Sequence, residues 1–97
     1  PWQPAVLRLI QHTCVVGRDN NVPVGVCGEA AADPMLACVL TGLGVTSLSA
    51  ASTAVAGVGA QLAELTFEQC EKMADAAINA EGPSEARTAV IALLEEF

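Results

Sequence analysis

The amino-acid sequence predicts an α/β fold with two short parallel strands and five helices. Short, continuously apolar runs at 22–27 and 45–50 stand among longer stretches whose apolar residues recur at helical spacing. A helix of ten or more residues lies between the two runs, which implies a right-handed parallel crossover rather than a hairpin. At 97 residues the chain is one domain's worth of polypeptide at most, and 53% hydrophobic residues exclude a disordered one.

Each element has its own signal. From Pro4 to Val16 the apolar positions Val6, Leu9, Ile10 and Cys14 fall at helical spacing. Pro4 suits the first turn and Gly17 the stop. Arg18, Asp19, Asn20 and Asn21 make a polar loop before Val22 to Cys27, a buried strand with Pro23 at its start because proline donates nothing to a central ladder. Asp33 and Pro34 cap and open a second helix with the stripe Leu36, Val39, Leu40 and Leu43, ended by Gly42 and Gly44. Val45 to Ala50 alternates as a second strand. Ser52 or Thr53 caps a third helix that ends near Ala63 and carries a core stripe of Val55, Val58 and Leu62. Thr66 and Gln69 spell a capping box for a fourth helix, with Cys70, Met73, Ala77 and Ile78 inside and Gly82 as the stop. Pro83 or Ser84 opens the fifth, whose Ala86, Val90, Leu94 and Phe97 share one face. Two parallel strands do not make a self-sufficient sheet. Further strands are therefore expected from a segment preceding Pro1 or from a partner chain.

Charge narrows the partners. Four Lys and Arg against eleven Asp and Glu give a net charge of -7. Residues 64–97 hold eight of the acids beside only Lys72 and Arg87, a solvated acidic face on the last helices. Nucleic acid and other polyanions are excluded as partners on these grounds. No charge occurs between Asp33 and Glu64, but Pro34, four glycines and the cluster Ser47, Ser49, Ser52 and Thr53 argue against a membrane-spanning helix. A buried strand and helices explain that stretch, and no insertion into a membrane is expected. The first residues lack the charged-then-apolar pattern of a signal peptide.

The cysteines at 14, 27, 38 and 70 form no C-x-x-C pair and have no histidine at zinc-like spacing, so no metal site is expected in this chain. Three of them lie in helical patterns, unlike the loop-rich texture of a disulfide framework, which points to a reducing cytoplasm. Cys14, Cys38 and Cys70 read as inert core thiols. His12, the single histidine, and Arg8 read as surface residues of the first helix.

One segment has the texture of a site. In Gly25-Val26-Cys27-Gly28-Glu29 a thiol flanked by glycines closes the first strand, at the carboxyl end where parallel α/β folds collect their function. Gly28 permits close backbone approach, and Glu29 sets a carboxylate two residues on. The residues alone leave two readings open: a reachable thiol, or a small buried cysteine ending a core strand, which is the commoner case.

Residues 4–50 resemble a known family. The runs PAVLRLIQHT, PVGVCGEAAADP, CVLTGLG and VTSLSAAS are similar to the C-terminal part of enzyme I of the phosphoenolpyruvate-dependent sugar phosphotransferase system, weakening after Ser52. More distant relatives, pyruvate phosphate dikinase and phosphoenolpyruvate synthase, share the Cys-Gly-Glu neighbourhood but match the flanks less well. The resemblance implies that residues 1–97 are the end of a (βα)8 barrel that binds phosphoenolpyruvate and forms a homodimer, with the phosphohistidine domain and first barrel strands elsewhere in the parent. It implies Cys27 as the acid that protonates enolpyruvate. An ordinary thiol is mostly protonated near neutral pH and can give a proton to an enolate carbon. Gly25 and Gly28 would let the thiol reach the substrate, and Glu29 would orient the loop.

The same resemblance implies Mg²⁺ in the parent, held by residues outside this chain, and a phosphocarrier protein that receives the phosphoryl group through the N-terminal domain. His12 does not match the family's phosphoryl-accepting histidine, and the third helix lacks the basic residues usual there. The chain alone is expected to be inactive. The alternative, from a different class, is a non-catalytic oligomerisation or interaction module.

Overall fold

The computed structural model describes the backbone of residues 2–50 and 52–97, and the side chains of these except Ser52 and Thr53. The elements run α1 (Pro4–Asp19), β1 (Gly25–Cys27), α2 (Glu29–Ala32), α3 (Pro34–Leu43), β2 (Ser47–Ser49), α4 (Ser52–Ala63), α5 (Phe67–Ile78) and α6 (Pro83–Glu96). This is a mostly helical α/β arrangement with two parallel strands, β1 beside β2. The cap expected at Ser52 or Thr53 lies outside the described residues.

Three helices begin as the sequence dictates, with proline at the first position, where its missing N–H would go unpaired anyway: Pro4, Pro34 and Pro83. Thr66 and Gln69 close a reciprocal capping box, the Thr66 Oγ accepting from the Gln69 N–H at 3.1 Å and the Gln69 side chain accepting from the Thr66 N–H at 3.0 Å. Gly44 ends α3 in the left-handed region at φ 111°.

The centre of the molecule is α3. Its Leu36, Ala37, Cys38, Val39, Leu40 and Leu43 are all buried, because α1, α4 and α5 surround it. That also explains why its apolar residues run all round rather than along one stripe. Leu7 from α1, Met73 and Ala77 from α5 and Val90 from α6 complete the core. Full burial of side chains such as Leu36, Leu40 and Met73 contributes about 1.5–3 kcal/mol apiece.

Several expectations are corrected. The buried face of α1 is Pro4, Leu7, Cys14 and Gly17, whereas Val6 and Leu9 are 46% and 67% exposed. Cys14 of the expected stripe is buried and Ile10 packs partly against the core, but apolar residues occupy both sides of this helix, so spacing alone placed Val6 and Leu9 on the wrong one. Gly17 does not stop α1; the segment after the helix folds back on it, the Val22 N–H donating to the Gly17 carbonyl at 2.7 Å. Gly42 likewise lies inside α3, where a Cβ would overlap the Cys70 carbonyl of α5. It marks a helix crossing, not an end. α5 stops at Ile78, and Gly82 is the N-cap of α6. In α4, Val58 is buried but Val55 is 56% exposed. Ile78 and Leu94 are only partly buried, and Phe97, 41% exposed, lies beyond α6. Each strand is three residues long, shorter than the apolar run that announces it. The four-residue α2 adds a sixth helix, too short to show a period.

Candidate functional site

The site begins with strand register. Gly25 faces Ser47, Val26 faces Leu48 and Cys27 faces Ser49. Successive strand side chains point to opposite faces. Val26 and Leu48 pack against the core beneath the helices, while Gly25, Cys27, Ser47 and Ser49 line the other, exposed face. Gly25 is small for a reason visible in this register: a Cβ there would lie 2.7 Å from the Ser47 Oγ, which leans across from β2.

Cys27 closes β1 and is the exposed cysteine of the four. It is therefore not the buried core cysteine of one of the two readings the residues left open. The next N–H, of Gly28, donates to the Ser49 carbonyl at 3.1 Å, carrying the pairing one residue past the thiol. Gly28 then takes φ 91° and ψ -152°, a conformation that side chains oppose. This reversal sends the chain into α2 and leaves open space where a Cβ would be. Glu29, the first residue of α2, is exposed.

The far side of the loop is fixed by Asp33. Its Oδ1 accepts from the Met35 and Leu36 N–H groups at 3.0 and 3.3 Å, capping α3, and its Oδ2 accepts from the Trp2 indole Nε1 at 3.2 Å. Segment 27–33 is thus anchored by the strand ladder at one end and by a two-way carboxylate at the other. The cap was legible from the sequence; the tryptophan, 31 residues away, was not.

The other three cysteines behave differently. Burial pushes the Cys14 thiol up, opposed by the nearby Arg18 charge. Burial, then the neighbouring Cys70 and Asp33, push Cys38 up to about 12, and burial raises Cys70. These three are protonated packing groups with little thiolate to react. His12 is exposed on α1. Arg8, expected to be merely solvated, donates from Nη1 to the Ile78 carbonyl at 2.8 Å and so satisfies the last turn of α5.

Two clefts, of about 570 and 540 Å³, lie at the amino ends of the strands, around Pro23 and Val24. A third, of about 360 Å³, separates β2 from α4. Cys27 lines none of these three. Its thiol stands on an open sheet face rather than inside a cavity. Among the described residues, no group of three or more His, Cys, Asp or Glu side chains could hold a metal ion. No helix among them is long and apolar enough to cross a membrane.

The family model for the PEP-binding domain of PEP-utilising enzymes matches residues 1–67, which include β1, the Cys27 loop and β2. The chain belongs to the PEP-utilising enzyme family. A phosphoenolpyruvate-protein phosphotransferase of Streptomyces coelicolor is 53% identical over 94 residues, 97% of this chain and 17% of that protein. Another from Mycoplasma genitalium is 35% identical over 97 residues, the whole chain and 16% of the relative. A multiphosphoryl transfer protein of Rhodobacter capsulatus is 42% identical over 84 residues, 87% of the chain and 10% of that protein. The chain therefore spans only 10–17% of the length of these relatives. The resemblance carried by the Cys-Gly-Glu segment and its flanks agrees with the family match. Ser49, which β-register sets beside Cys27, went unnoticed in the sequence because register between strands 22 residues apart has no local signal.

Proposed function

We propose that this chain supplies the proton-donating end of the phosphoenolpyruvate-binding barrel in a phosphoenolpyruvate–protein phosphotransferase, with Cys27 as the acid. The observation that carries the proposal is the exposed thiol at the carboxyl end of β1, on the helix-free face, in a chain of this family. In the parent, the phosphoryl group of phosphoenolpyruvate passes to an enzyme histidine and then to a phosphocarrier protein for sugar uptake. Loss of that group leaves the enolate of pyruvate. As the enolate oxygen re-forms its carbonyl, the C=C electron pair takes the proton from the Cys27 Sγ–H; the S–H pair stays on sulfur as a thiolate, and pyruvate leaves. Run in reverse, the thiolate removes a methyl proton of pyruvate.

The remaining parts of the site act on access and position. Gly25 leaves room for the Ser47 hydroxyl beside β1, Gly28 turns the chain away from the thiol, and Glu29 orients the loop at the head of α2. The order of helix, strand, helix, strand and helix, with a parallel pair, suits the last part of a (βα)8 barrel whose other strands come from the rest of the parent. Mg²⁺ is assigned to the parent protein. The residues that would hold it lie in the rest of the parent, and the role given to this chain is the proton transfer from Cys27. A cytoplasmic homodimer is part of the same reading, and four cysteines that form no disulfide with one another are compatible with that location.

Replacing Cys27 by Ala in the complete parent tests the proposal. Phosphoenolpyruvate-dependent pyruvate formation should fall by about 100-fold or more, the usual contribution of a positioned acid. Unchanged turnover would overturn it and leave these residues as a packing or oligomerisation module.

A further inference from the structure

We propose that Ser49 is the positioning partner of Cys27, its hydroxyl donating a hydrogen bond to the thiolate that forms when the proton leaves. The inference rests on the acid role given to Cys27 above. Three observations on this sheet lead to it. Cys27 and Ser49 are register partners on neighbouring parallel strands, and both lie on the exposed face at the carboxyl ends. The Gly28 N–H to Ser49 carbonyl bond, at 3.1 Å, holds the two strands together immediately beyond the thiol, so this register does not fray there. One repeat earlier on the same face, the Ser47 Oγ reaches across to within 2.7 Å of the Cβ position of Gly25. The Ser47 side chain of β2 thus leans toward β1 on this face, and one repeat on the residue that faces Ser49 in the register is the cysteine rather than a glycine.

The chemistry gives this pair a purpose. Proton transfer from a neutral thiol to carbon leaves a full negative charge on sulfur, and a hydrogen bond to a charged group is worth more than one to a neutral group. A donor that meets the thiolate but gains little from the thiol lowers the barrier without tightening the ground state. The hydroxyl keeps its own proton throughout. The thiolate is reset by a proton from water after pyruvate has left.

The test uses the complete parent with Ser49→Ala, Ser49→Thr and Ser47→Ala variants, following the pH dependence of Cys27 alkylation by iodoacetamide together with pyruvate formation. Because Cys14, Cys38 and Cys70 are buried, mapping the modified peptide isolates the Cys27 signal. Ser49→Ala should move the alkylation midpoint up by about one pH unit and lower kcat about tenfold, the equivalent of one lost charge-assisted hydrogen bond. Ser49→Thr, which keeps the hydroxyl, should restore both, and Ser47→Ala should leave the midpoint where it was. An unmoved midpoint in Ser49→Ala, a shift that threonine does not reverse, or an equal shift in Ser47→Ala would each overturn the inference. The alkylation profile reads the pair directly. It therefore separates a failure of Ser49 from a failure of the acid role, which Cys27→Ala turnover reports independently.

Discussion

Gly28 does at one residue what no substitution can copy. With φ 91° and ψ -152° its backbone occupies a region that an L side chain enters only at a cost of order 1–3 kcal/mol, although no neighbouring atom would obstruct a Cβ. The penalty of Gly28→Ala is therefore conformational rather than steric. It falls between the thiol and α2. In the parent, Gly28→Ala should lower stability by about 1–3 kcal/mol in denaturant titrations and reduce pyruvate formation further than Gly25→Ala, where a turn of the Ser47 side chain can relieve the contact. Equal, small effects at both positions would contradict this. The order of the Cys-Gly-Glu segment, a short apolar run, then a thiol, then glycine, was readable at this scale because it is local, whereas the role given to the thiol came only from the family resemblance. Arg8 on the Ile78 carbonyl and Trp2 on Asp33 were not readable, since their partners lie 70 and 31 residues away.

Among the elements, the seam between α3 and α5 has least room for change. A Cβ on Gly42 would overlap the Cys70 carbonyl and also lie 2.8 Å from the Glu71 backbone nitrogen, so both obstacles are main chain and neither can swing aside. Gly42→Ala should separate the two helices and destabilise the fold by about 1–3 kcal/mol, the cost of overpacking, instead of the gain of about 1 kcal/mol that an unobstructed helical Gly-to-Ala change brings. Thermal melts of the parent carrying Gly42→Ala or, for contrast, Gly57→Ala on the open side of α4 would check it; only the former should melt markedly earlier. The sequence misread Gly17 and Gly42 for the same reason. A glycine that ends a helix and one that lets backbones touch look alike until the touching element is known. Val6 and Leu9 of α1 were misassigned because both sides of that helix carry valine or leucine, and only the position of α3 decides between them.

Across the whole molecule, apolar surface remains uncovered. Val6, Leu9, Val16 and Val22 are 46%, 67%, 47% and 57% exposed along α1 and the segment that follows it, next to a sheet of two parallel strands. Parallel sheets are normally covered on both faces. The 97 residues expressed alone should therefore bind a hydrophobic dye and self-associate, despite the net charge of -7. Light scattering and dye fluorescence would show it, and a strictly monomeric species that binds no dye would refute it. The sequence disclosed the surplus of apolar residues and the parallel order at this scale. It could not disclose which residues stay outside, because that depends on the direction in which each helix crosses α3.

The Arg8 guanidinium on the last turn of α5 also bears on inheritance. The family model stops at residue 67, where α5 begins, so by that boundary alone, and unlike the full-length relatives, the final two helices look like a detachable suffix. In space they are not. Arg8 grips α5 from the first helix, Cys70 and Met73 sit against α3, and Val90 of α6 completes the same core. A recombination event that exchanged this suffix for a foreign one would leave an orphaned arginine, an unfilled groove along Gly42 and a loosened platform beneath the Cys27 loop. The last helices are thus bound to travel with the segment that carries the thiol, whatever the boundary drawn in the sequence.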